Sequence, residues 1–209
     1  MPGLLNLAIL AVALILVRPL LRLIIALIGG RQIGDAALAK QPDRIHLVRA
    51  GATPWKFPDK AEAFARPLLD AGFRDAGIYT VDEMPGLVIR LLVEPAAAFM
   101  GCIYEHPKAG SWLDIAQNYE GGGGHNVTSM PDNGLDARPG YTTDHMPHAS
   151  SNALLARARA HSPSGTPAWL STEKASERFE QVYAESMAWR KEHGVSRREV
   201  VKVAAKKAA

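Results

Sequence analysis

The chain has 209 residues, a length typical of one folded domain with appendages, since domains average roughly 100–200 residues. Hydrophobic residues make up 47% and charged residues 22%, which is ordinary for a globular protein and excludes a disordered chain, a collagen and a multi-span transporter. The single cysteine, Cys102, excludes an intramolecular disulfide and an all-cysteine metal site. The net charge of +3 is too small to indicate nucleic-acid binding, and it is unevenly placed, with an acidic middle between basic ends.

The N-terminal segment is the most apolar part of the chain. Residues 4–17 are apolar with one exception, and the apolar character resumes after Arg18-Pro19. A helix over residues 4–28 would be about 37 Å long, which exceeds the ~30 Å hydrocarbon core of a bilayer. The pattern therefore predicts one transmembrane anchor within residues 1–28.

The charges around this segment predict its orientation. No Lys or Arg precedes it, whereas Arg18, Arg22 and several others follow it, and the positive-inside rule places such a flank in the cytoplasm. This predicts a single-pass protein of the inner (cytoplasmic) membrane, with its N-terminus outside and its folded domain in the cytoplasm. Arg18 and Arg22 share one helix face, where they either reach lipid headgroups or meet an acidic group on a partner helix. A cleaved signal peptide is the alternative, but the segment lacks a basic n-region.

Residues 29–58 follow without a sustained hydrophobic period and are predicted to form an irregular linker. Trp55 and Phe57 lie near its end. Such aromatic side chains anchor a segment either to the folded domain or to the membrane interface, so both residues are candidate membrane or partner contacts as well as candidate packing residues.

The centre of the chain is typical of a β-meander. Five short apolar runs are separated by turn signals, and their connections are too short for crossover helices. They predict an antiparallel sheet of consecutive strands, with one face buried and the other partly solvated. The glycines from Gly121 to Gly124 fit a hairpin loop better than a phosphate-binding loop, which needs a helix after it. The predicted strands are 77–81, 86–94, 98–105, 111–119 and 125–130.

Helices are predicted before and after the sheet. Asp59 and Glu62 match a capping box for a helix over 60–70, which Gly72 ends. Later helices are predicted over 152–161 with Ser151 or Asn152 as cap, from Ser171 or Thr172 to Gly194, and from the capping box Ser196 to Glu199 onwards. The second of these has an inner stripe of Ala175, Phe179, Val182, Ser186 and Trp189.

The predicted fold class is therefore α+β: a single N-terminal transmembrane helix, then an antiparallel β-meander sheet packed with flanking α-helices. The predicted soluble domain covers residues 59–209.

The sequence offers few candidates for chemistry. Asp144, His145 and His148 are residue types that bind Zn²⁺ or Fe²⁺, but Pro147 places them in a loop that does not fix their geometry. Cys102 and His106 would stand about 13 Å apart on one straight strand, so Cys102 is interpreted as a core residue. No catalytic residue, cofactor or metal is predicted.

These observations favour a non-catalytic, membrane-anchored accessory subunit of a larger inner-membrane complex for photosynthesis or respiratory electron transport. A single span carries no transport path, and the long irregular segments 29–58 and 131–150 are costly to order without a partner surface. The expected partners are other membrane-protein subunits and anionic lipid headgroups, with no nucleic acid. In gross layout the chain resembles the H subunits of purple-type photosynthetic reaction centres, with one N-terminal span and a β-rich cytoplasmic domain; no motif is shared.

Two alternatives stay open. The first is a membrane-tethered enzyme or metal protein that uses the 131–148 loop. The second is a lipid or small-molecule binding module, in which the mixed face of the sheet and the helices form a pocket.

Overall fold

The computed structural model describes residues 32, 34–51 and 54–206, and within these residues the chain forms one seven-stranded sheet and flanking helices. The order of the strands in space equals their order in the sequence. The strands are β1 Leu47–Arg49, β2 Arg74–Val81, β3 Val88–Glu94, β4 Phe99–His106, β5 Gly110–Asn118, β6 Gly124–Thr128 and β7 Tyr141–His145. The helices are α1 Pro58–Asp70, α2 Ser151–Ala160, α3 Ala175–His193 and α4 Arg197–Lys206, and residues 34–39 are also helical.

The structure confirms the predicted antiparallel meander. Strands β1 to β6 pair with their sequence neighbours, all antiparallel. The glycine run forms the connection between β5 and β6, as predicted. Gly121, Gly122 and Gly123 have φ angles of 78°, 105° and 88°, which glycine adopts without the steric penalty of a Cβ atom.

Two strands lie where irregular structure was predicted. β1, with three residues, falls in the predicted linker, and β7, with five, falls in the predicted loop 131–150. β7 pairs with β6 in parallel, from Gly124↔Tyr141 to Thr128↔His145. Both segments are short, and β7 is largely polar, so their strand conformation depends on hydrogen bonds to neighbours that are distant in sequence.

Helices cover both faces of the sheet in the larger of two compact units, which comprises residues 42–132 and 137–188. α1 and α2 pack on one face, and α3 packs on the other. The prediction of one partly solvated face is therefore wrong. One face of β3 carries both polar and apolar residues. On this face Val88 and Leu92 are buried, and Arg90 forms ion pairs with Asp75 at 2.6 Å and with Glu62 at 3.1 Å.

The helix starts differ from the predictions by a few residues. α1 begins at Pro58 with Phe57 as its N-cap and without a side-chain cap, so the predicted cap at Asp59 is wrong. The predicted end is confirmed, since Gly72 follows the helix with a φ of 100°. α2 is capped by Ser150, whose Oγ accepts a hydrogen bond from the backbone of Ala153 at 3.3 Å. α3 begins at Ala175, after a turn over residues 172–174.

The smaller unit contains residues 133–136 and 189–206 together with the described residues up to 41. Its capping box is confirmed: Ser196 N donates to Glu199 Oε2 at 2.7 Å, and Glu199 N donates to Ser196 Oγ at 3.2 Å. Burial would raise the pKa of Glu199, but hydrogen bonds from Ser196, Asp136 and Arg190 outweigh it and lower the pKa to about 2. The charged Glu199 therefore joins residues that are far apart in sequence within this unit.

The structure corrects the membrane predictions. A spanning helix needs about 20 consecutive apolar residues, whereas the longest described helix, α3, has 19 residues and carries charges along its length. No helix among residues 32, 34–51 and 54–206 is both long and apolar enough to cross a membrane. The predicted anchor over 1–28, with Arg18 and Arg22, lies outside the described residues. A single-pass inner-membrane location, and with it the resemblance in layout to reaction-centre H subunits, is therefore not supported.

Candidate functional site

The three candidate metal ligands of the 131–148 loop do not converge. Asp144 and His145 are consecutive on β7 and so point to opposite faces of the sheet. Asp144 Oδ2 accepts a hydrogen bond from Arg157 Nε at 2.6 Å, and His145 Nδ1 lies 3.1 Å from the carbonyl oxygen of Met130. His148 follows the strand, with a left-handed φ of 65°. The described part of the chain contains no group of three or more His, Cys, Asp or Glu side chains that could hold a metal ion.

The aromatic residues of the predicted linker lie on the domain. Trp55 is partly buried against the core beneath α1 and α2. Phe57 is 46% exposed, and the ammonium groups of Lys56 and Lys60 lie 5.3 and 5.2 Å from its ring centroid. The backbone N–H groups of Lys56 and Phe57 donate to the buried carboxylate of Glu105, which fixes this segment on β4.

Cys102 and His106 do not form a reactive pair. Cys102 is buried in the core beneath α3, while His106 Nδ1 accepts hydrogen bonds from the backbone of Lys108 and Ala109 in the following turn. Burial raises the pKa of the Cys102 thiol. The thiol therefore stays protonated at neutral pH, which makes it a poor nucleophile and a poor metal ligand.

A cavity of about 210 Å³ lies between α3 and strands β4 to β7, within the larger unit. Its floor is one face of the sheet. The register places Cys102 opposite Asp114, Ala116 opposite Asn126, and Asn126 opposite Thr143, so these side chains share that face. The lining residues are Met100, Cys102, Tyr104, Asp114, Ala116, Asn118, His125, Asn126, Tyr141, Thr142 and Thr143 from the sheet, and Arg178, Phe179, Val182 and Ser186 from α3.

The floor of the cavity is unusually polar for the interior of a small domain. Buried polar atoms without a hydrogen-bond partner include Asp114 Oδ1, Asn126 Oδ1 and the Tyr141 hydroxyl. Most buried polar groups in proteins are paired, because an unpaired one costs about 1–3 kcal/mol. Three such groups around one cavity therefore indicate that something else supplies their hydrogen bonds.

Asp114 is the acidic group of this floor. Burial raises its pKa from 3.8 to about 6, and hydrogen bonding by Thr128, Trp112 and Tyr104 and the nearby His145 offset only part of that effect. At neutral pH the carboxyl group is mainly ionised, although the fold makes its charged form costly. The site thus holds a negative charge that is ready to interact with a cation or a hydrogen-bond donor.

Aromatic rings form one side of the cavity. The ring of Tyr104 stacks on Trp112 with centroids 4.6 Å apart and packs against Phe179 at 6.2 Å. Burial raises the pKa of the Tyr104 hydroxyl, so it stays a neutral hydrogen-bonding group. The cavity therefore combines an apolar wall with a few fixed polar groups, as small-molecule sites do.

A second polar cluster lies on the opposite face of the sheet. The rings of His125 on β6 and His161, which follows α2, stack with centroids 3.6 Å apart and an angle of 5°. His125 Nε2 lies 3.5 Å from Asp144 Oδ2, and Nδ1 lies 2.8 Å from Thr142 Oγ1. Burial and the neighbouring His161 lower the pKa of His125, against the opposing effect of Asp144.

The polar residues of the cavity are not evident from the sequence alone. Asp114 and Asn118 alternate with apolar residues on β5, a pattern that predicts a partly solvated face, whereas α3 covers that face. Tyr141 and Thr143 belong to a strand that was not predicted. The sequence signal for these residues is the excess of polar side chains at alternate positions of adjacent strands. This signal becomes informative only when a helix is known to cover that face of the sheet.

No known protein family matches this chain, and neither a curated protein nor a solved structure is significantly similar to it.

Proposed function

We propose that this protein binds a small polar organic molecule in the cavity between α3 and the sheet. The observation that carries the proposal is the group of buried, unpartnered polar atoms on the cavity floor: Asp114 Oδ1, Asn126 Oδ1 and the Tyr141 hydroxyl. This function corresponds to the small-molecule alternative of the sequence analysis.

Unpartnered buried polar atoms are energetically costly. Each unpartnered buried polar atom costs about 1–3 kcal/mol, and replacing it by an apolar group of the same shape would remove that cost. A ligand that hydrogen-bonds to these atoms recovers it at the moment of binding. The arrangement is thus costly for a structural core and favourable for a binding site.

The size of the cavity limits the ligand. A volume of about 210 Å³ is below the roughly 300–1,000 Å³ of sites for drug-sized molecules. The occupant is therefore a small metabolite rather than a nucleotide cofactor or an acyl chain. Binding rather than covalent catalysis is favoured, because burial and the neighbouring Asp114 raise the pKa of the Cys102 thiol, which therefore stays protonated.

The experiment is a thermal-shift screen of the full chain with small amines, alcohols, carboxylates, sugars and nucleosides. Ala116→Leu places a larger side chain on the cavity floor, and Ala63→Leu makes the same change on the exposed side of α1 as a matched control. A ligand at 100 times its Kd stabilises the folded state by about 2.7 kcal/mol. We expect at least one compound to stabilise the wild type and Ala63→Leu but not Ala116→Leu.

A second blocking variant, Ser186→Leu, fills the cavity from α3 and serves if Ala116→Leu does not fold. The proposal is wrong if no compound stabilises the wild type, or if the blocking variants respond as strongly as the wild type. The expected partners of the sequence analysis, membrane-protein subunits and anionic lipid headgroups, stay predictions.

A further inference from the structure

We propose that the ligand of this cavity is a small organic amine, whose ammonium group binds between Asp114 and Asn126; this inference rests on the proposed function. The volume of the cavity alone does not specify the charge or the hydrogen-bonding groups of the ligand. Three properties of the floor and the wall of the cavity indicate that the ligand is a cationic hydrogen-bond donor.

The first property is the hydrogen-bonding character of the unpartnered atoms. An ionised carboxylate oxygen and an amide Oδ1 only accept hydrogen bonds, so Asp114 and Asn126 both need donors. In the register of β5 and β6, Asp114 lies opposite Thr128, and Asn126 lies two residues before Thr128. The side chains of Asp114 and Asn126 are therefore diagonal neighbours on one face of the sheet. Diagonal neighbours on adjacent strands are about 7–8 Å apart at Cα, within reach of one group that donates to both. An ammonium group carries three N–H donors and meets this need.

The second property is the missing counter-charge. In the described chain no lysine or arginine forms an ion pair with Asp114, whereas Asp75, Asp136, Asp144 and Glu94 each have one. The titratable neighbours of Asp114 are Cys102 and Tyr104 on β4 and His145 on β7, and Arg178 on α3 lines the same cavity. A buried charge without a partner is strongly unfavourable, and a cationic ligand supplies the partner.

The third property is the aromatic wall. Tyr104, Phe179 and Tyr141 line the cavity. Their rings favour an apolar body and attract an ammonium group through the negative faces of the π systems. An anionic ligand would instead meet Asp114 with a like charge. The same wall therefore favours amines over carboxylates of equal size.

The experiment compares three probes of matched size by isothermal titration at pH 7.5: 2-phenylethylamine, 2-phenylethanol and 3-phenylpropionate. The pair 1-butylamine and 1-butanol repeats the comparison with smaller molecules. Hydrogen bonds to charged groups are worth about 1.5–3 kcal/mol, so we expect the amine to bind at least about tenfold more tightly than the alcohol and the carboxylate.

Two variants assign the effect to Asp114. Asp114→Asn keeps the shape of the side chain and removes its charge, and Asp70→Asn makes the same change at an exposed position of α1. We expect Asp114→Asn to weaken amine binding at least about tenfold while the affinity for the alcohol stays within about twofold. Asp70→Asn should bind all probes as the wild type does.

The outcomes separate the two proposals. If the alcohol or the carboxylate binds as tightly as the amine, or if Asp114→Asn leaves amine binding unchanged, the ligand class is wrong. If neither amine binds, but a sugar, a nucleoside or a carboxylate binds to the wild type and not to Ala116→Leu, the ligand class is wrong and the proposed function stands. If no compound of the full screen binds, both fail.

Discussion

The two faces of the sheet are built from the same strands and differ in how their helices cover them. α1 buries Ala61, Ala65 and Leu68, and α2 buries four residues within ten, so that face is a filled apolar core. Of the 19 residues of α3, Ala175 alone is buried, and the sheet beneath it turns from apolar on β3 to polar on β5, β6 and β7. The comparison shows that one sheet can stabilise the fold with one face and leave a polar cavity at the other.

Truncating the filled core tests the comparison most strongly. Ile103 is fully buried beneath α1 and α2, and Ile→Ala changes at such positions cost about 2–5 kcal/mol because a cavity remains. Val182 lines the cavity and is only partly buried, so Val182→Ala should cost less than about 1.5 kcal/mol. Urea unfolding of both variants measures the difference, and equal losses would show that the two faces are packed alike.

Removing the buried charge should stabilise the protein. The pKa of Asp114 is about 6 in the folded state against 3.8 as an ordinary value, so folded protein binds more protons between these values and loses stability as the pH rises through them. That cost amounts to about 2–3 kcal/mol at pH 7. Asp114→Asn should recover it at pH 7 and show no gain at pH 3.5, as measured by urea unfolding at both pH values. A variant that is less stable than the wild type at pH 7 would contradict this.

Replacing a polar side chain by an apolar one should have opposite effects on the two faces. Asn126 Oδ1 has no partner, so Asn126→Leu should stabilise the protein by about 1 kcal/mol. Gln117 is buried on the other face and donates from Nε2 to Ala97 O at 2.7 Å, so Gln117→Leu should cost about 1 kcal/mol. Thermal unfolding of the pair decides between this result and effects of the same sign.

The stacked rings of His125 and His161 should make the protein less stable as the pH falls, the opposite of the effect of Asp114. We expect this change in stability to be the smallest of the four. The lowered pKa of His125 means that stability is complete above the unfolded value of about 6.5 and declines as the pH falls below it. His161→Phe keeps an aromatic ring on His125 and removes the imidazole that helps to lower the pKa of His125, so the loss of stability between pH 7 and pH 5 should become smaller. An unchanged or steeper loss would exclude the histidine pair as its cause.

Local signals predicted the elements well because their causes are local. Alternating apolar residues and turn residues located β2 to β6, and the box from Ser196 to Glu199 forms the two hydrogen bonds that its pattern implies. Gly72 and the glycine run have the positive φ angles that make glycine the preferred residue there. The predicted cap at Asp59 failed because Pro58 already starts the helix, with Phe57 as its N-cap.

Such local signals did not predict the residues of the cavity. The alternation on β5 predicts a partly solvated face for Asp114, since alternation shows which residues share a face but not what covers that face. The transmembrane prediction rested on hydropathy alone, and the described residues give it no support. Asp144 and His145 appeared close in sequence, yet the strand they belong to sends them to opposite faces.

The sequence by itself determined the five strands β2 to β6, their meander and the C-terminal ends of α1 and α3, because these depend on residues within a few positions of each other. Only the tertiary structure decided that α3 covers the polar half of the sheet, that β7 joins β6 in parallel, and that Asp114, Asn126 and Tyr141 surround one cavity. The physical reason is that burial, and with it the pKa of Asp114 and the cost of an unpartnered oxygen, depends on which distant segment lies above a side chain.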